Sequence, residues 1–410
     1  MRILCVGSMY PPHHLGGYEL VWEAAVAQLT ARGHVVRVLC SDHRETAVSA
    51  SQMAAGDPAA DVHRELRWYW RDHAFPHLGP REILELERAN AATFDRHLDA
   101  FAPDVVAWWA MGGMSLSLIE RARRRRLPAV AFVNDDWLIY GPRVDAWTRL
   151  AARLPRRLLE RATGLPACFA PAAAGRMVFA SEAIRRTAGE RWSLPPNEVA
   201  YGGIDPVFLA AEQAPDDWSW RLLYVGRIDP RKGVATLLAA LPTLPPQATV
   251  RIVGGGEQRH LRELRELAHR LGVADRVDFA GQLDRSALPA VYAGGDAVVF
   301  PVLWAEPWGL VPLEAMASGR PVLATGTGGS AEYLRDGENC LLFEPGDAAG
   351  LADRLGLLAA DPTLRARLRE HGRATARANT DATFNDRVEA VIGEVAGGRF
   401  PAERPGGLRR

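Results

Sequence analysis

Short apolar runs alternate with longer stretches of helical periodicity along most of this chain. The first run, Arg2 to Val6, leads through a glycine-bearing loop into a helix predicted from about Tyr18 to Ala31. A second run, His34 to Cys40, follows it. Ser41 to Asp61 is polar and alanine-rich and reads as a variable loop. Further β runs fall at Glu65 to Trp70, Asp104 to Trp109, Ala129 to Val133 and Arg176 to Ala180. Helical periodicity fills Pro80 to Ala100 and Met114 to Arg125. Unbroken apolar runs of strand length suit strands buried on both faces, and their alternation with helices predicts parallel sheets joined by crossovers.

The second half repeats this plan, with strands near Leu222, Thr249, Arg276, Ala297, Pro321 and Cys340, each followed by a helix or turn. A chain of 410 residues, 48% of them apolar, suits two cores of about 200 residues each. The boundary is placed near Gly202 to Ala214. This divides the chain into residues 1–205, residues 206–380, and a closing segment 381–410 whose helix spans about Ala382 to Ala396. Residues beyond Gly397 read as a frayed tail.

Charge and cysteines narrow the class. The 49 basic and 49 acidic residues cancel, which disfavours a nucleic-acid binder. Cys5, Cys40, Cys168 and Cys340 are scattered without metal-ligand spacing and read as reduced thiols of a cytoplasmic protein. The apolar stretch Ile3 to Val6 is too short for a signal peptide, and no run approaches the length of a membrane span.

Lysine occurs once among the 49 basic residues, at Lys232. It lies in Gly226-Arg227-Ile228-Asp229-Pro230-Arg231-Lys232-Gly233, between the strand Leu222 to Val225 and a helix from Val234 to Leu241. A strand, a glycine-bearing loop and a helix start are where α/β proteins hold phosphates on free amides. A compact ammonium does there what a planar guanidinium cannot. A second landmark follows the run Ala297 to Pro301. Pro307 holds Glu306 extended, so this carboxylate belongs to a loop. Glu314 falls within the helix Leu310 to Ser318, which Gly319 closes. Two carboxylates so placed suit the hydroxyls of a polyhydroxylated ligand.

Together these segments resemble the nucleotide-sugar glycosyltransferases of glycosyltransferase family 4, retaining enzymes with the GT-B fold. The resemblance rests on Gly226-Arg227 with Lys232-Gly233, on Glu306 and Glu314 with seven residues between them, and on Glu314-Ala-Met-Ala-Ser-Gly. Gly328-Gly329 with Glu332, Asp336-Gly337-Glu338-Asn339 and the N-terminal pair Gly16-Gly17 extend it over nearly the whole chain. It implies two Rossmann-like domains facing across a deep cleft: an acceptor domain, a nucleotide-sugar domain and a last helix crossing back to the first.

The resemblance also implies residue roles. Arg227 and Lys232 would stabilise the departing diphosphate, aided by amides around Gly309-Leu310 and Gly328-Gly329, with no metal and no cofactor required. Glu306 would orient the donor sugar and Glu314 the nucleotide ribose. Gly226, Trp308 and the backbone near Gly281-Gln282 would complete the donor pocket, with uracil as the default base. Gly16 and Gly17 would bring backbone amides to the donor diphosphate or to the acceptor. Asn134-Asp135-Asp136 ends a strand where relatives often carry His-Asp. Asparagine here removes any histidine base. Asn134 is then assigned to a sugar hydroxyl, and Asp135 or Asp136 to the acceptor: a small molecule, a glycan or a lipid-linked sugar.

Several features stay open at this level. Trp68, Tyr69, Trp70, Trp108 and Trp109 are either stacking surfaces for an acceptor or core. Arg149, Arg153, Arg156, Arg157 and Arg161, interleaved with leucines, fit a weak peripheral contact with an anionic bilayer or, more simply, a solvated helix face. Arg123 to Arg126 reads as a solvated helix end. A nicotinamide dehydrogenase would need Gly-x-Gly-x-x-Gly after the first strand, and Gly254-Gly255-Gly256 lacks that spacing. A phosphorylase-like activity would need a pyridoxal lysine besides Lys232. A non-catalytic GT-B protein that binds a sugar or nucleotide, or serves as a partner subunit, is the alternative function.

Overall fold

The computed structural model describes residues 1–14, 16–44, 61–70, 74–210 and 217–398. Two compact units divide the chain: Met1–Tyr201 with Phe384–Arg410, and Gly202–Thr383. The greater part of the loop expected at Ser41 to Asp61, and the tail beyond residue 398, lie outside the described residues.

The first unit contains β1 (Arg2–Val6), β2 (Val35–Ser41), β3 (Asp61–Leu66), β4 (Val105–Trp108), β5 (Ala129–Val133), β6 (Arg176–Phe179) and β7 (Asn197–Val199). They form one parallel sheet in the order β3-β2-β1-β4-β5-β6-β7. The order reverses between β1 and β4, which is the doubly wound arrangement with its ligand crevice at the carboxyl ends of the strands. Successive residues of β1 serve opposite faces. Leu4 and Val6 pack with Phe94 and Leu98, whereas Ile3 and Cys5 pack with Trp22 and Leu29. A strand buried on both faces has no polar side to show, hence the continuous apolar run.

The same parity decides two of the aromatic candidates. Trp108 and Trp109 are both fully buried, one in each core, so neither is an acceptor platform. Trp68 and Tyr69 are buried as well. They lie beyond β3, which ends at Leu66 and starts at Asp61, not at Glu65 as expected. An edge strand with one wet face alternates polar and apolar residues, so the richer Trp-Tyr-Trp cluster drew the sequence reading four residues too far. The helix expected from Met114 begins at Ser117. Residues 111–116 instead form a turn, in which the Leu116 amide donates to Asp145 Oδ2 at 2.9 Å. Strand β7 carries no apolar run and was not expected.

The last helix, Asp381–Ala396, packs Phe384, Val388, Val391 and Ile392 into the core around Trp22 and Leu29. Their helical spacing gives one apolar stripe. Arg387 on its flank donates to Glu198 Oε2 at 2.6 Å.

The second unit winds the same way. β8 (Arg221–Val225), β9 (Thr249–Val253), β10 (Val277–Gly281), β11 (Ala297–Phe300), β12 (Val322–Ala324) and β13 (Leu341–Leu342) lie parallel in the order β10-β9-β8-β11-β12-β13. Its reversal point falls between β8 and β11. A bridge between Ile204 and Thr380 closes the unit. There a Cβ on Gly203 would lie 1.9 Å from the Thr380 carbonyl carbon, so the two segments meet backbone to backbone. All four cysteines are free thiols. Among the described residues, no helix is long and apolar enough to cross a membrane.

Candidate active site

In the second unit the loops after β8 and β11 flank the reversal point, and they carry the two landmarks of the sequence. After β8 the chain enters the loop at Gly226, whose φ of 139° only glycine takes readily. Pro230–Lys232 makes one 3₁₀ turn, and Gly233, at φ 70°, starts the helix Val234–Ala240. A Cβ on Gly233 would sit 1.8 Å from the Pro301 carbonyl oxygen. The loop thus lies against the end of β11, and the Leu303 amide donates to the Arg231 carbonyl at 2.7 Å.

This approach brings Lys232 to Glu306. The ammonium Nζ donates to Glu306 Oε2 at 2.7 Å, and Trp304 Nε1 donates to the same oxygen at 2.9 Å. Both of these hydrogen bonds fall on one oxygen of a carboxylate only 8% exposed. Lys232 also lies 5.5 Å from the Trp304 ring centre, within cation–π range. Arg231 covers the same indole at 4.6 Å and pairs with Asp229 at 3.0 Å. Burial pushes the Asp229 carboxyl up, but hydrogen bonds from the Arg231 side chain and amide, with Arg227 nearby, hold it down at about 2. The Arg227 guanidinium is 39% exposed and 3.9 Å from Asp229, beyond hydrogen-bond reach.

Glu306 itself is seated by a glycine. Gly328, at φ 61°, lies so close that a Cβ there would meet the Glu306 carbonyl oxygen at 2.4 Å. The next amide, Gly329, donates to that oxygen at 2.7 Å. Residues 328–332 form a short 3₁₀ turn. Gly309, at φ 86°, precedes the helix Leu310–Ala317. Trp308, 6% exposed, donates Nε1 to the Gly202 carbonyl at 2.7 Å.

Glu314 is inside that helix and 3% exposed. Its Oε2 accepts from the Tyr292 hydroxyl at 2.8 Å, and its Oε1 lies 3.1 Å from Arg285. Burial and the neighbouring carboxylate both push the Tyr292 hydroxyl well above its usual range, keeping it a donor. Gly281 ends β10 at φ 75°, and its carbonyl accepts from the Gly254 amide at 2.8 Å. A Cβ on Gly255 would lie 3.2 Å from Gln282 Oε1. Gly226 thus stands at the end of β8 and Gly281 and Gln282 at the end of β10, with β9 between them, while Arg227, Lys232 and Glu306 occupy the loops after β8 and β11.

Tyr292, Arg285 and Trp304 were absent from the sequence reading. Tyr292 and Arg285 stand in a segment without motif, and only packing brings them to Glu314. Trp304, two residues before Glu306, could have been marked from its proximity.

The first unit holds the remaining candidates at its own strand ends. Gly16 precedes the helix Gly17–Ala31, and its amide donates to Glu19 Oε2 at 3.1 Å. Asn134 and Asp135 follow β5, both partly buried. Asp135 accepts from the Tyr140 hydroxyl at 2.9 Å and from the Trp137 amide at 3.1 Å. Desolvation nevertheless raises its carboxyl to about 6. Leu154 and Leu158, in the arginine–leucine segment, are 45% and 63% exposed, while Arg124 and Arg156 both pair with Glu160 there.

Comparison with known proteins agrees with both sheets. Residues 209–375 match the family model of glycosyl transferases group 1, and residues 15–208 that of glycosyltransferase family 4. A glycogen synthase of Mycobacterium tuberculosis is 30% identical over 393 residues, covering 88% of this chain and 87% of the relative. A D-inositol 3-phosphate glycosyltransferase of Xylanimonas cellulosilytica is 39% identical over 158 residues, 38% of each chain. Among solved structures, the Anabaena protein Alr3699/HepE in complex with UDP-glucose superposes with a TM-score of 0.72 at 22% identity, covering 96% of this chain and all of its own. Sucrose-phosphate synthase from Thermosynechococcus elongatus superposes at 0.71 with 20% identity, over 97% of this chain and 100% of that one.

Proposed function

Since this chain belongs to glycosyltransferase family 4 and has the GT-B fold, we propose that it moves a sugar from a nucleotide-diphosphate sugar, by default a UDP-sugar, to a hydroxyl acceptor with retention and without a metal in the chemical step. The observation that carries this reading is the Lys232–Glu306 pair at the reversal point of the second unit. A lone ion pair there would be an odd use of a chain's single lysine. A cation and a carboxylate at adjoining loop ends instead match the two needs of a sugar diphosphate, a charge for the leaving oxygens and an acceptor for sugar hydroxyls.

As the glycosidic bond lengthens, negative charge gathers on the diphosphate. Lys232 moves part of its interaction from Glu306 to that charge, and Arg227, exposed beside it, adds a second cation. Glu306 Oε1 orients the donor sugar. Glu314 takes the ribose hydroxyls, since a carboxylate has lone pairs beyond those that Tyr292 and Arg285 use. Gly226, Trp308, Gly309, Leu310, Gly281 and Gln282 shape the donor pocket. Asn134, Asp135 and the Gly16-Gly17 amides are assigned to substrate hydroxyls or phosphate. The acceptor is a hydroxylated small molecule, a glycan or a lipid-linked sugar, and the exposed Leu154 and Leu158 beside arginines suit a weak contact with an anionic bilayer.

The test is a thermal-shift panel of nucleotides and nucleotide sugars, followed by donor hydrolysis and transfer in the presence of a chelator. Ligands that bind the folded state raise Tm by mass action. A UDP-sugar is expected to raise Tm and to be hydrolysed slowly without acceptor, with the product's anomeric proton showing retention. Binding without turnover on any acceptor would favour a non-catalytic role. Activity abolished by the chelator and restored by a divalent ion would overturn metal independence.

A further inference from the structure

β3 is an edge strand of the first unit's sheet, and Asp61, His63 and Glu65 occupy alternate positions along it. All three therefore project from one face, while Val62 on the other packs toward Trp22 and Val26. His97 meets them from the helix Pro80–Phe101, 4% exposed. His63 Nδ1 is 3.2 Å from Glu65 Oε1, and His97 Nε2 is 3.4 Å from Glu65 Oε2. The two imidazole centres are 4.6 Å apart. One ligand atom from each of His63, Glu65 and His97 lies within 4.8 Å of the other two.

Hydrogen bonding serves His97 least well of this group. Its Nε2 contact with Glu65 is long, and among the described residues its Nδ1 is buried with no partner. Buried polar atoms are normally paired, and an imidazole left this way loses about 1–3 kcal/mol. The spacing, by contrast, suits an ion. A tetrahedral metal with arms of about 2.0–2.2 Å holds its donors roughly 3.3–3.6 Å apart, and three donor atoms that already lie within 4.8 Å of one another need only a small side-chain adjustment to reach that spacing. Asp61 Oδ1 lies 2.6 Å from His63 Nε2. A proton on Nε2 shared with Asp61 leaves the Nδ1 lone pair directed toward Glu65, the outer-shell carboxylate that orients many metal-bound histidines.

We propose that His63, Glu65 and His97 bind one transition-metal ion of the zinc(II) class, with Asp61 orienting His63. Two imidazoles and a carboxylate favour zinc, cobalt, nickel or copper over magnesium or calcium, which prefer all-oxygen sites. Two cations stand nearby. Arg37 pairs with Asp61 at 2.6 Å, and Arg96, 58% exposed, pairs with Glu65 and can swing into water. The ion ties an edge strand to the helix over its face, which restrains an element otherwise open to pairing. It takes no part in sugar transfer.

The full chain, stripped with a chelator and dialysed, is titrated with zinc(II) and, separately, cobalt(II). One ion per chain is expected, with a saturable rise in Tm, and for cobalt visible d–d absorption of a low-coordinate nitrogen–oxygen site. His63→Gln and Glu65→Gln, both at partly exposed positions, should each weaken binding at least about tenfold while the metal-free Tm stays near that of the parent. No saturable binding up to about 1 mM zinc, or unchanged affinity in both variants, overturns the assignment. Transfer activity of the folded, metal-free chain is a separate readout, so failure here leaves the donor-site reading intact.

Discussion

Lys232 and Glu306, 74 positions apart, meet at 2.7 Å because the loop after β8 lies against the carbonyl end of β11. Trp304 fixes the carboxylate from one side and offers its ring to the ammonium from the other. Cation, carboxylate and indole therefore hold one another in a single three-way contact.

Removing the cation tests its chemistry. Lys232→Ala should lower turnover by about 10²–10³, as loss of one preorganised electrostatic donor does. Donor affinity should fall less, since Arg227 stays. Lys232→Arg should not restore the rate, because a planar fork cannot replace a point charge between Glu306 and Trp304. Steady-state kinetics with a melting curve for each variant decides this. Full activity in the arginine variant would show that any cation suffices.

Gly328 is predicted to be a seat for Glu306. Gly328→Ala imposes a left-handed conformation costing about 1–2 kcal/mol and drives a Cβ into the Glu306 backbone. Turnover should drop severalfold or more with only a modest fall in Tm. A variant with parental kcat and Tm would mean that the Glu306 loop shifts without consequence.

Tyr292→Phe removes the hydroxyl that holds Glu314 Oε2 but leaves the buried ring in place. A hydrogen bond to a charged group contributes about 1.5–3 kcal/mol, so both Tm and nucleotide affinity should fall, with KM for the donor rising more than kcat declines. Calorimetric titration of the nucleotide diphosphate reads this directly. Unchanged affinity would place Glu314 outside the nucleotide site.

A pH signature should come from Glu87 and Asp145, both fully buried in the first unit. Burial raises both carboxyls, and their mutual repulsion raises Glu87 further. Glu87 accepts from the Tyr69 hydroxyl at 2.7 Å and also from Ser117. With folded pKa values above the unfolded ones, the native state binds more protons. Stability from this pair is therefore complete below the unfolded carboxylate range and declines as pH rises toward neutrality. Glu87→Gln should flatten that decline in urea unfolding between about pH 5 and 8. A slope identical to the parent's would show that the pair does not hold the extra proton.

The amino-acid sequence by itself determined that both sheets are parallel and joined by crossovers, because strands buried on two faces must be continuously apolar and crossover helices must lie between them. It also marked two loops as candidates for the chemistry: Gly226 to Gly233 and Glu306 to Gly309 are written in residues whose backbone demands are local. The edge strand β3 was placed four residues too late and the short β7 escaped notice, because half-wet or three-residue strands leave no such run. What only the tertiary structure decided is which side chains meet. Lys232 on Glu306, Tyr292 and Arg285 on Glu314, and His97 beside His63 and Glu65 all join elements distant in the chain. Such contacts depend on strand order and packing distance, neither of which is encoded in any local pattern. Trp108 and Trp109, identical neighbours in sequence, were sent into opposite cores by strand parity alone.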